Sequence, residues 1–166
     1  MELAGSGYFY ALATLSMAFV GFTSIVVVLH QGTGKPLSPL HVLFTRLFAE
    51  LGLMATAFAM LAPTLAIIGL REDLVWRVSS AIMLAVSVPW LLTYAKRRKT
   101  AAPNERLPLR YYVMTILGIV AVGVLSLNLM GAMFNPGPGP LAIATVYVLA
   151  YATVAFIGTY TSFLLD

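Results

Sequence analysis

Long apolar segments alternate with short polar segments along the whole chain. An α-helix rises 1.5 Å per residue and the hydrocarbon core of a membrane is about 30 Å thick, so about 20 apolar residues are needed to cross it. Each apolar segment reaches this length. The pattern therefore predicts an all-α fold, a polytopic transmembrane helix bundle with five spans in a single domain, 1–166. The predicted spans are 7–30, 39–70, 74–95, 111–134 and 141–165.

Proline residues indicate where the predicted helices begin, bend and end. Ser38 followed by Pro39 is typical of an N-cap and a first helical position. Pro63 and Pro89 lie inside the second and third spans, and each frees a backbone carbonyl, so we expect a kink at both. The three prolines of the segment 135–140 remove backbone donors. This segment is therefore expected to form a rigid external turn between the fourth and fifth spans.

The composition excludes a soluble globular domain. Hydrophobic residues make up 60% of the chain and charged residues 10%, whereas soluble domains carry about 25% charged residues. These side chains are too apolar to cover a water-exposed surface, so the solvent must be lipid. The absence of cysteine excludes disulfides and thiolate metal sites. No nucleic-acid partner is expected, because binding one requires a broad basic face on a folded surface.

Positive charge is concentrated in the polar segment 96–110, which is predicted to be a loop. Six of the ten Lys and Arg residues lie there, and cytoplasmic loops carry such an excess of cations. We therefore expect this loop in the cytoplasm, which places the N-terminus outside and the C-terminus inside. The same cations can contact anionic lipid headgroups. The candidate headgroup contacts are Lys96, Arg97, Arg98, Lys99, Arg106 and Arg110.

Polar residues near the cytoplasmic ends of the first two spans are candidates for an ion path or gate. His30 closes the first span and His41 opens the second, while Arg46 and Glu50 lie four residues apart on one helix face. Ionisable groups at membrane depth often serve a function, so one interpretation is a titratable gate or a proton relay. The alternative is an interfacial salt bridge accompanied by two histidines at the level of the headgroups.

Asn128 is an amide side chain deep in the fourth predicted span, near Ser126. It would either line a permeation path or form a hydrogen bond between helices. The sequence contains no catalytic motif, so an enzyme is not expected, and neither a metal site nor a cofactor is predicted.

The segment 21–31, GFTSIVVVLHQ, resembles the opening of small bacterial multi-pass inner-membrane proteins of uncharacterised function. The similarity continues to the helix that carries Arg46 and Glu50, and it covers about the first third of the chain. The resemblance implies a protein of the bacterial inner membrane. It implies no activity and no site residues.

Two classes of function fit the sequence. The first is a channel or carrier for ions or small solutes. Because five short-looped helices leave little room for an internal path, we expect that path between the subunits of a homo-oligomer. The second is a lipid-binding or accessory membrane subunit without transport activity. In both cases the expected partners are membrane lipids and further copies of the chain.

Overall fold

The computed structural model describes residues 3–31, 39–101, 109–131 and 136–165, and its regular structure within these ranges is entirely α-helical. The five helices are α1 (Ser6–Gln31), α2 (Pro39–Ile67), α3 (Glu72–Ala101), α4 (Leu109–Met130) and α5 (Pro138–Leu165). Both internal prolines are accommodated without a break, because α2 continues through Pro63 and α3 through Pro89. The predicted kinks at these positions stay predictions.

Four of the helices are long and apolar enough to cross a membrane. The qualifying segments are Val42–Ile67, Glu72–Thr100, Tyr111–Met130 and Pro138–Gly158. In α1, the apolar helical segment Ser6–Phe22 is shorter than these four segments. Many large apolar side chains on the outside of the bundle are exposed, Ile67, Leu92 and Ile116 among them. These features indicate a membrane-embedded helical protein whose outer surface faces lipid.

The predicted loop 96–110 is wrong over its first residues, because α3 extends to Ala101. Lys, Arg and Ala are good helix formers, and cations in the last turn of a helix interact favourably with its dipole. The cations from Lys96 to Lys99 therefore lie on a helix rather than on a loop. The fourth helix begins at Leu109, and residues 102–108 lie outside the described part of the chain.

The helix ends on the other side of the bundle also differ from the predicted span boundaries. α2 ends at Ile67 rather than at residue 70, because Gly69 adopts a left-handed conformation with φ of 87° and ends the helix. Similarly, Gly131 has φ of 65° directly after the end of α4. α5 begins at Pro138, inside the segment predicted to be a turn. Prolines fit there because the first backbone N–H groups of a helix have no partner within it.

The helices α2, α3, α4 and α5 form a ring in which each packs against the next, and α5 closes the ring against α2. α1 packs outside this ring, mainly on α2. α2 and α5 pack against each other, and both carry small residues that are fully buried, among them Ala55 and Ala59 on α2 and Ala152 and Ala155 on α5. Small side chains let two helices approach closely, which is how helices associate in lipid.

Consecutive helices run in opposite directions, so the bundle has two ends. We call the end at which α1, α3 and α5 finish and α2 and α4 begin the basic end, because Arg46 and the four cations from Lys96 to Lys99 lie there. The other end, which carries the turn from α2 to α3 and the start of α5, is the opposite end. The ring of four helices and its basic end position the candidate site.

Candidate functional site

The carboxylate of Glu50 lies at the centre of a charged cluster at the basic end. Arg46 donates a hydrogen bond from Nε to Glu50 Oε1 over 2.7 Å. Arg97 donates from NH1 to both carboxylate oxygens, at 3.0 Å and 2.8 Å. The indole Nε1–H of Trp90 donates to Oε2 over 3.1 Å. We call these four residues the Glu50 cluster.

Two helices position the cluster through their regular spacing. Arg46 and Glu50 lie four residues apart on α2, so their side chains are neighbours on one face. Trp90 and Arg97 are about two turns apart on α3 and therefore share a face as well. Arg97 reaches Glu50 because α3 stays helical beyond residue 95. The pairing of Arg46 with Glu50 is as the sequence predicts, whereas the contributions of Arg97 and Trp90 are new.

The cluster carries more positive than negative charge. Two guanidinium groups share one carboxylate, so one positive charge is left over. The side chain of Glu50 is 26% exposed, compared with 67% for Arg46 and 41% for Arg97. Within the part of the chain that the structure describes, Arg46 bonds only through Nε and Arg97 only through NH1. The remaining guanidinium donors are therefore available to an anion at the surface.

The other candidate headgroup contacts continue this surface. Lys96 and Lys99 are exposed beside Arg97, and Arg98 is half-buried and engaged in an interaction of its own. Arg106 lies outside the described residues, and the side chain of Arg110 is likewise not described. The structure thus brings the cations of α3 and Arg46 of α2 to one end of the bundle.

The two histidines of the predicted gate lie on helices at the same end. His30 is near the end of α1 and His41 near the start of α2, but their side chains lie outside the described residues. Their predicted part in a gate therefore stays a prediction. Within the described ranges, no group of three or more His, Asp and Glu side chains is arranged to hold a metal ion.

An aromatic layer lies directly beneath the Glu50 cluster. Trp90 stacks on Tyr94 with a ring-centroid distance of 5.7 Å and an interplanar angle of 6°. Tyr151 of α5 meets both rings edge-on, with centroid distances of 6.3 Å to Trp90 and 6.2 Å to Tyr94. This layer connects α3 to α5, and two of its rings, Trp90 and Tyr151, also line the space inside the ring of helices.

A cavity lies inside the ring below this layer. All four helices line it, for example with Leu51 and Phe58 of α2, Met83 of α3, Ala121 of α4 and Val148 of α5. It has an empty volume of about 460 Å³, counted out to its open mouth. It is narrow, since little of this space is wide enough for a water molecule. The walls are almost entirely apolar, which suits a hydrocarbon chain and not a hydrated ion.

Tyrosines of α5 contribute the polar atoms of the cavity wall. Tyr147 donates its hydroxyl hydrogen to the backbone carbonyl of Met114 over 2.9 Å. Its hydroxyl fits there because position 118 is glycine: a Cβ atom on Gly118 would lie 2.5 Å from the Tyr147 oxygen. Tyr151 is buried and packs edge-on against Tyr94.

Asn128 forms hydrogen bonds between helices at the opposite end. Its Nδ2 donates to Ser80 Oγ of α3 over 2.8 Å, and the backbone N–H of Gly137 donates to its Oδ1 over 3.1 Å. The side chain is buried, with 5% of the residue exposed. Asn128 thus connects α4, α3 and the start of α5, as the interhelical alternative predicts, and it lies away from the Glu50 cluster.

Sequence reasoning missed Trp90 and Arg97 as partners of Glu50. Both are far from Glu50 in the chain, and the charge pattern predicts a loop at Arg97. The two-turn spacing of Trp90 and Arg97 is the one signal that places them on a common face, provided that the helix is extended past residue 95. Comparisons of the chain with protein-family models, with functionally characterised proteins and with solved structures find no match.

Proposed function

We propose that this chain is an integral membrane protein that binds the phosphate of anionic lipids at its basic end. The observation that carries the proposal is the Glu50 cluster, in which two arginines share one carboxylate and keep unused donors at the surface. Guanidinium groups bind phosphate oxygens through charge-assisted hydrogen bonds. Exposed Lys96 and Lys99 add further positive charge beside them.

The proposal includes a topology. All five helices cross the membrane, the basic end faces the cytoplasm, and the N-terminus is outside. The distribution of cations supports this orientation, because cytoplasmic segments are enriched in Lys and Arg. Arg46 and the cations of the last turns of α3, from Lys96 to Lys99, lie at the basic end, whereas Arg71 and Arg77 lie at the opposite end. The resemblance of the first third of the chain supports a bacterial inner membrane.

The arrangement of Glu50 supports lipid binding better than ion gating. Its carboxylate accepts hydrogen bonds from three side chains. These bonds fix the carboxylate in place and link α2 to α3. The cavity beneath it is almost entirely apolar. A channel or carrier built by a homo-oligomer stays a prediction from the sequence. Ion flux across liposomes that contain the purified protein tests that prediction separately.

Spin-labelled lipids test the proposal in reconstituted bilayers. Chain-labelled phosphatidylglycerol and phosphatidylcholine are each added in trace amounts, and electron paramagnetic resonance gives the fraction immobilised by the protein. We expect a preference for phosphatidylglycerol, which Arg97→Gln lowers roughly fivefold, because a cation near the surface is worth about 1 kcal/mol. Arg71→Gln is the matched control, since it removes a cation from the opposite end. Equal immobilisation of the two lipids by the unmodified protein would refute the proposal.

A further inference from the structure

The cavity inside the ring begins directly beneath the charges of the Glu50 cluster. Trp90 belongs to both: its indole N–H bonds to Glu50, and its ring lines the cavity. Leu51, the residue after Glu50, lines the cavity as well. A molecule whose anionic group binds the outward guanidinium donors of Arg46 and Arg97 therefore has an apolar compartment within reach of its next atoms.

The cavity is elongated along the helices. On α3 its lining extends from Trp90 to Met83, and on α2 from Leu51 to Phe58. At 1.5 Å per residue, each of these distances is roughly 10 Å. With its narrow bore, the cavity accommodates a segment of an unbranched hydrocarbon chain more readily than a ring system or a folded solute.

The cavity also reaches the lipid-facing surface of the bundle. Six of the residues that line it are only half-buried, among them Met54 of α2, Leu91 of α3 and Val122 of α4. An acyl chain can therefore leave the ring sideways into the bilayer, so the length of the cavity does not limit the length of the chain that it takes.

We infer that the cavity holds one acyl chain of the anionic phospholipid whose phosphate binds Arg46 and Arg97. The inference rests on the proposed function and specifies its ligand. The excess positive charge of the Glu50 cluster favours an anionic lipid headgroup, and the apolar walls of the cavity favour its acyl chain.

Brominated lipids test the inference, because bromine atoms on an acyl chain quench tryptophan fluorescence at short range. The protein is reconstituted in phosphatidylcholine with a small fraction of phosphatidylglycerol or phosphatidylcholine that carries bromine in mid-chain. Trp90 lines the cavity, whereas Trp76 is buried near the opposite end of the bundle. The variant Trp90→Phe gives the fluorescence and quenching of Trp76 alone, and these are subtracted from the values for the unmodified protein. We expect brominated phosphatidylglycerol to quench Trp90 roughly fivefold more effectively, in line with the charge of one cation.

A substitution that fills the cavity identifies the origin of this quenching. Val122→Phe places a ring in the space between the helices, and Val120→Phe places the same ring on the exposed face of α4, where the residue is 54% exposed. We expect Val122→Phe to remove the excess quenching and Val120→Phe to keep it. Equal quenching in the two variants would overturn the inference.

If Val122→Phe does not fold, the two assays on the unmodified protein still test the acyl-chain site. A spin-label preference for phosphatidylglycerol without excess quenching of Trp90 would overturn the acyl-chain site and leave the headgroup site standing. Loss of the spin-label preference itself would refute the proposed function, and the inference with it. Excess quenching together with the spin-label preference supports both.

Discussion

Arg97 NH1 lies 3.0 Å and 2.8 Å from the two carboxylate oxygens of Glu50, so the end of α3 is tied to the beginning of α2. The same carboxylate accepts from Arg46 on its own helix. Without Glu50, the two guanidinium groups would face each other across a partly buried interface. Glu50 therefore stabilises the basic end while leaving it with an excess of positive charge.

Replacement of Glu50 by Gln separates these two effects. We expect Glu50→Gln to lower the free energy of unfolding by about 1–3 kcal/mol, between the values for exposed and for fully buried ion pairs. We also expect it to raise the preference for phosphatidylglycerol, because the cluster gains one positive charge. Unfolding in mixed micelles and the spin-label assay measure the two effects. Glu72→Gln, at an exposed site at the opposite end, is the control. It should change the free energy of unfolding and the lipid preference by much less. A lower preference for phosphatidylglycerol in Glu50→Gln would contradict this account.

Gly118 provides the space that the hydroxyl of Tyr147 occupies. A Cβ atom at position 118 would lie 2.5 Å from this oxygen and 3.1 Å from Tyr147 Cζ. We expect Gly118→Ala to displace Tyr147, break its hydrogen bond to Met114 and lower stability by about 1–3 kcal/mol. Thermal unfolding in detergent measures the loss.

Two further variants control for the effect of alanine itself. Gly123→Ala lies on the same helix with nothing within 4 Å of the added atom, so it should be neutral or stabilise by up to about 1 kcal/mol. In the background of Tyr147→Phe, which lacks the hydroxyl, Gly118→Ala should cost less. If Gly118→Ala costs the same with and without the Tyr147 hydroxyl, the proposed contact is not the cause.

Asn128 stabilises the opposite end through partners on two other segments. Asn128→Leu removes the hydrogen bonds to Ser80 and to the backbone of Gly137. Hydrogen bonds between helices in a membrane are worth about 0.6 kcal/mol on average and up to about 1.7, so we expect a loss of about 1–3 kcal/mol. Ser126→Ala removes a bond within α4 only and should cost less. Equal stability of Asn128→Leu and the unmodified protein would show that these bonds contribute nothing.

The sequence predicts the local part of this structure and misses the non-local part. The five helices and the pair of Arg46 with Glu50 follow from apolar length and from four-residue spacing. The partners of Glu50 on α3 do not, because no local pattern states which faces of two helices meet. The cluster of charges at 96–110 looks like a loop, although Lys and Arg are good helix formers. Likewise Pro138 and Pro140 look like a turn, although the first turn of a helix tolerates proline.

The orientation of the bundle can be tested with single cysteines, since the chain has none of its own. Thr100→Cys marks the basic end, and Glu72→Cys marks the opposite end at an exposed position. In intact bacterial cells with a permeable outer membrane, an impermeant thiol reagent should label only the Glu72 site. After the inner membrane is opened, it should label both. Labelling of the Thr100 site in intact cells would reverse the proposed orientation.

The most direct test of the central claim is to count the anionic lipids bound to the protein by native mass spectrometry. The protein, released from micelles that contain equal amounts of phosphatidylglycerol and phosphatidylcholine, should retain phosphatidylglycerol in preference. The double variant Arg46→Gln, Arg97→Gln should lose this preference, and Arg71→Gln should keep it. The same phosphatidylglycerol occupancy in the double variant and in Arg71→Gln would show that the Glu50 cluster does not bind the lipid.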